Sequence, residues 1–421
     1  MANRELKAAL REYVKVRNNY INALHKKGIE FEEPHAEDEE ISKLRNELRD
    51  RGANFRNAGA SISVGWLSEA CVECTGERGS ETFSTTLACH RDCYFCFNHN
   101  LGEYERFSKE GCPWEQNLEE AVDTHRDLAC IGLTGGEPLL AFDDTIKFLE
   151  RAEELFPGSH KRLYTSGDLL DAEKAEKLAE AGLDEIRFSV KTDDPEDLQE
   201  KVLSNMSLAK NYIQDVMVEM PIIPGTSEKM KWLLGEFDGI GIRGMNLLEF
   251  CFPFHNWEEY ASRGFLIRNP PFDIMYDYSY SGGLPVAGSE VLALELMLYA
   301  MDEGYDFGMH YCSLDNKHRS EMRQKNSPGA HIHPCYVLDE GDFFLKTAKV
   351  FGEDREKVSL FLGAMGCNSI LENENDKSTC FPPRFADAVR GNGVDVAMSV
   401  NVLETDEVGR GILEVGLEPL A

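Results

Sequence analysis

Three cysteines, Cys89, Cys93 and Cys96, stand in the run Cys-His-Arg-Asp-Cys-Tyr-Phe-Cys, directly after an apolar stretch with strand character. Thiolates hold iron–sulfur clusters, and an all-cysteine [4Fe–4S] centre uses four of them. Three thiolates on one short loop supply ligands for three irons and leave the fourth iron open to a substrate or cofactor. The competing chemistry is zinc, whose structural sites take four nitrogen or sulfur ligands, commonly from two C-x2–4-C pairs. A compact triplet is an awkward half of such a site. Cys71 and Cys74, a C-x2-C pair followed by Gly76, lie just upstream. They read as two ligands of a second cluster or of a zinc ion, or as two unligated thiols.

The elements that must carry these residues follow from hydrophobic periodicity. Residues 3–27 and 36–50 show helical spacing, and residues 1–60 read as an N-terminal helical extension. Short β-like runs occupy Ser61–Trp66 and Thr82–Leu87. Beyond them strands are expected at 129–134, 161–166, 184–190, 214–220 and 240–249, with helices between at 116–127, 142–155, 172–181, 195–212 and 226–237. Six strands alternating with helices predict a parallel α/β sheet. The triplet follows the first of these strands, at the carboxyl edge where such sheets bind ligands. The aromatic, proline-bearing stretch 250–285 breaks the rhythm and reads as a lid or a packed loop. A helix is expected near 288–303, and residues 321–421 read as a small C-terminal α+β region.

A second motif, Gly135-Gly136-Glu137-Pro138, follows the second strand. Two glycines let a backbone come close to a ligand, and a carboxylate there can accept from a cationic amine. The plain alternative is a βα turn with a glutamate suited to the helix dipole. The spacing C-x3-C-x2-C, with Phe95 before the last cysteine and the GGEP motif one βα unit on, resembles the radical S-adenosylmethionine (SAM) superfamily. The runs LTGGEPLL, LYTSG, AGLDEIRFS, VEMPIIPG, NLLE and HYCS are similar to an archaeal and bacterial group within it, described as related to pyruvate formate-lyase activating enzyme. The resemblance spans roughly residues 70–320.

This resemblance implies a partial (β/α)6 TIM-like barrel over residues 61–320. It implies a [4Fe–4S] cluster on Cys89, Cys93 and Cys96, and SAM chelating the open iron. A low-potential donor, flavodoxin or ferredoxin, would reduce the cluster. A 5′-deoxyadenosyl radical would then take hydrogen from a substrate, a peptide or protein side chain being preferred to a small molecule or a glycyl-radical enzyme. By the same resemblance Gly135, Gly136, Glu137 and Pro138 meet the SAM amino group. Thr165, Ser166 and Ser189 meet the ribose, Arg187 or Lys191 pairs the carboxylate, and Phe95 lies near the adenine. Cys312 is open to three roles: ligand of an auxiliary cluster with Cys71 and Cys74, hydrogen-atom donor, or buried small hydrophobe. Cys335, Cys367 and Cys380 are weaker candidates for such an auxiliary site.

Composition sets the limits. The 421 residues carry a net charge of −31, which disfavours tight binding to nucleic-acid phosphate. No apolar run is long enough to cross a membrane, and the charged N-terminus lacks a signal-peptide core. Twelve cysteines without an export signal point to a reducing, cytoplasmic and anaerobic setting, where thiols serve metals and catalysis.

Overall fold

The computed structural model describes residues 3–124, 127–272, 278, 280–327, 331–406 and 409–420. The chain divides into two compact units. The larger, Ile29–Phe272 with Tyr280–Lys317, holds a nine-stranded sheet. Its strands are β1 (Asn54–Arg56), β2 (Ser61–Val64), β3 (Ser80–Ser84), β4 (Cys130–Thr134), β5 (His160–Thr165), β6 (Glu185–Phe188), β7 (Asp215–Ile222), β8 (Gly244–Glu249) and β11 (Gly308–Cys312); β9 (Cys251–Phe252) and β10 (Leu284–Pro285) form a separate pair. The sheet order is β1-β2-β11-β8-β7-β6-β5-β4-β3. Strands β3 to β8 pair in parallel, each with the next, across helices Trp114–Thr124, Phe142–Leu155, Ala172–Glu180, Glu196–Ala209 and Ser227–Ile240.

The expected six-strand core is present, and three strands extend it. β11 adds in parallel to β8, β2 pairs antiparallel with β11, and β1 with β2. The run His310-Tyr-Cys312, where no strand was expected, thus belongs to the sheet as part of β11.

Successive residues on a strand face opposite sides of the sheet. One side is apolar: Ile131, Leu133, Leu163, Ile186, Phe188, Val216, Val218, Met245, Leu247, Met309 and Tyr311 share one buried cluster with the crossover helices. The alternate positions are polar: Ser80, Thr82, Arg162, Tyr164, Glu185, Arg187, Glu219, Asn246 and His310. Strands of parallel sheets usually read as continuous apolar runs. Here the second face carries charge, so its residues must satisfy one another.

The N-terminal residues do not form one extension. Helix Asp38–Asp50 packs Leu44 and Leu48 into the main core, and its Arg45 pairs with Glu290 of helix Ser289–Glu303 at 2.6 Å. Helix Arg4–Lys26 belongs to the second unit, where Leu6 packs with Phe351, Ala397 and Leu417. That unit carries an antiparallel sheet. Its strands are β12 (Val337–Leu338), β13 (Leu345–Phe351), β14 (Leu371–Asn373), β15 (Ser378–Phe381), β16 (Ala397–Asp406) and β17 (Gly409–Pro419), in the order β14-β15-β13-β16-β17 with β12 on β13. With helix Asp354–Ala364 it is the expected α+β region. Its Cys335, Cys367 and Cys380 are buried, Cys367 within an apolar cluster around Val350 and Phe381. Part of the expected lid, residues 273–277 and 279, lies outside the described residues.

Candidate active site at the carboxyl edge of the sheet

The loop after β3 carries all three cysteines, and each thiol is free. Cys89 is exposed, while Cys93 and Cys96 are half-buried. Burial raises the Cys93 thiol and pushes Cys96 up to about 11. Lys191, just beyond β6, bonds to the Cys93 sulfur and works against that rise. The Arg91 N–H donates to the Cys89 sulfur at 3.4 Å, and the Cys96 N–H closes a turn onto the Cys93 carbonyl at 3.0 Å.

The residues between the cysteines anchor the loop. His90 Nε2 lies 2.7 Å from Asp168 Oδ2, and Arg91 pairs with Asp194. Burial works to raise the Asp168 carboxyl, but bonds from Ser166 and His90 outweigh it and hold it below the usual range. It therefore accepts, and His90 Nε2 carries the donated hydrogen. Asp168 ends the turn after β5, and Asp194 follows β6, so two neighbouring strand ends grip one tripeptide.

A third grip comes from the turn after β4. The Gly136 N–H donates to the Thr86 carbonyl at 2.9 Å, and the Glu137 N–H to the Ala88 carbonyl at 2.8 Å. A Cβ on Gly136 would stand 2.0 Å from Ala88 O and 2.5 Å from its carbonyl carbon. At Gly135, with φ +108°, a Cβ would stand 2.4 Å from Thr86 O. These are backbone atoms and cannot swing aside, so the cysteine loop itself requires both glycines. The Asn98 amide also donates to the Gly135 carbonyl.

Several groups expected to meet SAM are committed elsewhere. Glu137 is only 1% exposed. Its Oε1 accepts from Thr165 Oγ1 at 2.8 Å and Leu139 N at 3.1 Å, and its Oε2 from Ser166 N at 2.7 Å and Ser166 Oγ at 2.6 Å. It brackets the turns after β4 and β5, and uses the hydroxyls of Thr165 and Ser166 to do so. Pro138 opens a short 3-10 turn, its carbonyl accepting from Thr145 Oγ1 at 2.9 Å. Arg187 lies inside the polar face. It bonds Glu185 and Glu219 at 2.5 Å each and Ser68 Oγ at 3.0 Å. A carboxylate ligand would have to displace these partners.

Two expected groups stay available. The Ser189 hydroxyl has no hydrogen-bond partner among the described residues, though its N–H donates to the Thr165 carbonyl at 2.9 Å. Phe95 stands edge-on to Tyr94 and Phe250, with centroids 5.1 and 5.9 Å apart. The aromatic stretch after β8 packs on the cysteine loop, Tyr260 against Tyr94 at 5.5 Å and Asn256 Nδ2 on the Tyr94 carbonyl at 2.9 Å.

The polar face forms one network. Arg187 reaches Glu219, whose Oε2 also accepts from Asn246 Nδ2 at 2.7 Å. Asn246 Oδ1 lies 2.9 Å from His310 Nδ1, and Ser61 Oγ lies 2.9 Å from His310 Nε2. Because the amide oxygen accepts, Nδ1 holds the imidazole hydrogen and Nε2 accepts from Ser61. Burial, with Arg187 nearby, pushes His310 down to about 3. Glu185 is pushed down to about 2: burial opposes this, and Arg187, His160 and Ser68 outweigh it.

Cys71 belongs to this network, its sulfur 3.3 Å from Asn246 Nδ2 and 3.6 Å from Arg187. The Cys74 thiol turns back to the Cys71 carbonyl at 3.2 Å. Cys312, at the end of β11, has its sulfur 3.3 Å from Asn316 Nδ2, and burial pushes it up to about 12. Among the described residues, no group of three or more His, Cys, Asp or Glu side chains is arranged to hold a metal ion. Cys71 and Cys74 are electrostatic neighbours of Cys312, and the absence of a formed group holds at Cys89, Cys93 and Cys96 as well.

Above β7, β8 and β11 sits a group that sequence reasoning missed. Lys317, in the first turn of helix Leu314–Asn326, has Tyr280, Cys312, Cys251 and Glu219 as its electrostatic neighbours. Its signal was a lone lysine five residues after a strand end, which no motif singled out.

With that geometry in view, comparison with known proteins gives a consistent result. The radical SAM superfamily profile matches residues 83–235. A Methanocaldococcus jannaschii protein named "Putative glycyl-radical enzyme activating enzyme MJ0021" is 29% identical over 329 residues, covering 75% of this chain and 82% of its own. The GTP 3′,8-cyclase of Aliarcobacter butzleri is 23% identical over 329 residues, 70% of this chain and 89% of its own. The crystal structure of Streptococcus suis SuiB bound to precursor peptide SuiA aligns with a TM-score of 0.39 at 16% identity, over 54% of this chain and 47% of that one. No helix among the described residues is long and apolar enough to cross a membrane.

Proposed function

We propose, on the premise that residues 83–235 form the catalytic domain of a radical SAM enzyme, that Cys89, Cys93 and Cys96 hold the [4Fe–4S] cluster. The substrate would then lie over the carboxyl ends of β7, β8 and β11. The donor set fits the cluster. Three thiols outside any disulfide stand on one loop, and the side chains of His90 and Arg91 between them hold that loop to Asp168 and Asp194. The anchored loop is the observation that carries the reading. When bound and reduced by a low-potential flavodoxin or ferredoxin, cluster and SAM supply methionine and a 5′-deoxyadenosyl radical.

The chain's own residues do the rest. Lys191 counters the charge gathered at Cys93. Ser189 offers a free hydroxyl to the SAM ribose, and Phe95 an aromatic edge to its adenine. In the stretch Phe250–Phe265, Phe250 stacks on Tyr260 and stands edge-on to Phe265, an apolar cover beside the loop of the kind a radical reaction needs. The preferred substrate is a peptide or protein side chain. The name of the M. jannaschii relative favours a specific form of this, hydrogen abstraction from a protein glycine.

Anaerobic reconstitution with iron and sulfide, then SAM and dithionite, tests the reading. About four irons per chain and formation of 5′-deoxyadenosine, both lost in Cys93→Ala, are expected. Colourless, zinc-loaded protein without 5′-deoxyadenosine would overturn it.

A further inference from the structure

Strand β3 ends the nine-stranded sheet and has one neighbour, β4. Ser80 stands opposite Cys130, and the Cys130 N–H donates to the Gly79 carbonyl at 3.3 Å. Backbone groups along a paired strand turn to alternate sides. Glu81 and Phe83 therefore turn theirs to β4, and Thr82 and Ser84 turn theirs to the open edge. Among the described residues, no hydrogen bond reaches the backbone N–H or carbonyl of Thr82 or Ser84. Just beyond Ser84 the same edge is taken. The Cys112 N–H donates to the Thr85 carbonyl at 2.9 Å, and the Leu87 N–H to the Phe107 carbonyl at 3.3 Å. The chain pairs its own backbone with the upper part of this edge and stops where the strand begins.

A groove of about 610 Å³ lies along the open part. Thr82 and Ser84 line one side, and helices Tyr104–Glu110 and Trp114–Thr124 the other. Its charged lining is Glu81, Glu103, Glu120 and Arg106. Arg106 pairs with Glu103 at 2.7 Å, so Glu81 and Glu120 set the sign of the groove. Burial already raises the Glu81 carboxyl, and covering it further costs less when the cover brings a cation. Edge strands are commonly blunted by proline, lysine or a bulge. Ser80-Glu-Thr-Phe-Ser84 has none of these. A second copy pairing β3 with β3 would bring the Glu81 carboxylates together, in a chain whose net charge of −31 already opposes self-association. An extended basic peptide meets both the free backbone and the carboxylates. Strand addition of this kind draws affinity from main-chain bonds and specificity from alternate side chains.

We propose that the open edge of β3 is a docking site, where a lysine- or arginine-bearing extended segment of the peptide or protein substrate adds to the sheet as a further strand. The inference rests on the proposed function and narrows its substrate class. Thr82 and Ser84 supply the backbone bonds, and Glu81 and Glu120 select the basic side chains.

The test uses anaerobically reconstituted enzyme with SAM and the rhodamine-labelled peptide Lys-Val-Lys-Val-Lys-amide, followed by fluorescence anisotropy. Alternate amides of an added strand face its partner. Methylating the valine nitrogens in one peptide and the lysine nitrogens in another should therefore weaken binding about tenfold in one and leave it in the other. Glu-Val-Glu-Val-Glu-amide should bind about tenfold more weakly than the lysine peptide. Thr82→Pro removes an outward N–H without touching the bonds to β4 and should lose binding by a similar factor, while Thr82→Ser should retain it. No binding by wild type overturns the proposal, as does equal binding of the two methylated peptides or wild-type affinity in T82P. A dimer in sedimentation that T82P dissolves would assign the edge to a second copy and also overturn it. Formation of 5′-deoxyadenosine is followed in parallel. Its absence in wild type would count against the radical SAM reading, whereas its presence without phase-dependent binding counts against the docking edge alone. Circular dichroism and iron content establish that T82P is folded and loaded.

Discussion

Glu137→Gln is a near-isosteric change with a calculable cost. Each carboxylate oxygen of Glu137 faces one backbone N–H, Leu139 on one side and Ser166 on the other, besides one hydroxyl. A hydroxyl can turn and accept from an amide, but a backbone N–H cannot. Whichever way the Gln amide sits, its NH2 meets one of those two donors head-on. The variant loses a charge-assisted bond worth about 1.5–3 kcal/mol and leaves a buried donor unsatisfied at about 1–3 kcal/mol. These overlap, so a net local cost of about 3 kcal/mol is a fair expectation. The cost falls on the turns after β4 and β5, which opens a direct assay.

Amide hydrogen exchange reads local opening free energy. In E137Q, peptides covering 137–140 and 165–168 should exchange roughly a hundredfold faster than in wild type, since each 1.4 kcal/mol is about tenfold. The second unit should be unaffected. If Glu137 is instead a direct contact of SAM, the variant should lose SAM affinity while those amides keep their protection. Unchanged exchange in both peptides would refute the bracket argument.

Three further changes test other parts of the site. Gly136→Ala places a methyl within 2.0 Å of the Ala88 carbonyl oxygen. It should cut reconstituted iron severalfold, while Gly239→Ala, in open space within a helix, retains full iron and gains up to about 1 kcal/mol. Equal iron contents would contradict the close-packing account. His310 stays neutral in the folded protein down to about pH 3, so below pH 6.5 the unfolded chain binds one more proton. Stability of the apoprotein should then fall as pH is lowered from 6.5 toward 3, with this residue adding about 1.4 kcal/mol per pH unit. A wild-type slope in urea titrations no steeper than that of His310→Gln would show His310 is not the group. Arg187→Met strands the carboxylates of Glu185 and Glu219 and should cost about 3–5 kcal/mol, seen as a lower melting temperature; an unchanged melting temperature would place the network's balance elsewhere.

Much of the sheet was legible because apolar periodicity marks strands and helices even when their ends blur by a residue or two. Strand β4 was expected at 129–134 and runs Cys130–Thr134. Of the three added strands, β2 was expected as the run Ser61–Trp66 but without its place in the sheet, and β1 and β11 were not expected, because β11 pairs with β8 and β2 across large sequence separations. The cysteine triplet was legible since its spacing is local. The commitments of Glu137, Arg187, Thr165 and Ser166 were not, since each bonds a residue on another strand or turn. One signal was available and went unused: the polar alternation in Glu-Ile-Arg-Phe, Val-Glu-Met and Met-Asn-Leu within strands otherwise rich in buried residues. A parallel sheet with such alternation must hold a polar network on one face.

The cysteine loop joins these observations. Three thiolates brought together repel one another, and a free loop would also lose conformational freedom on taking a cluster. This chain meets both costs before any cluster arrives. His90 and Arg91 tie the loop to Asp168 and Asp194, the two glycines accept its backbone at van der Waals limits, and Tyr94 stands edge-on to Tyr260. Glu137, through Ser166 and Asp168, links the second of these supports to the first. The residues between metal-binding cysteines are often read as spacers. Here their side chains reach the ends of two different strands, so the order of the sheet and the spacing of the cysteines constrain each other: shifting either by one residue would part His90 from Asp168 and Arg91 from Asp194 while leaving every thiol in the sequence.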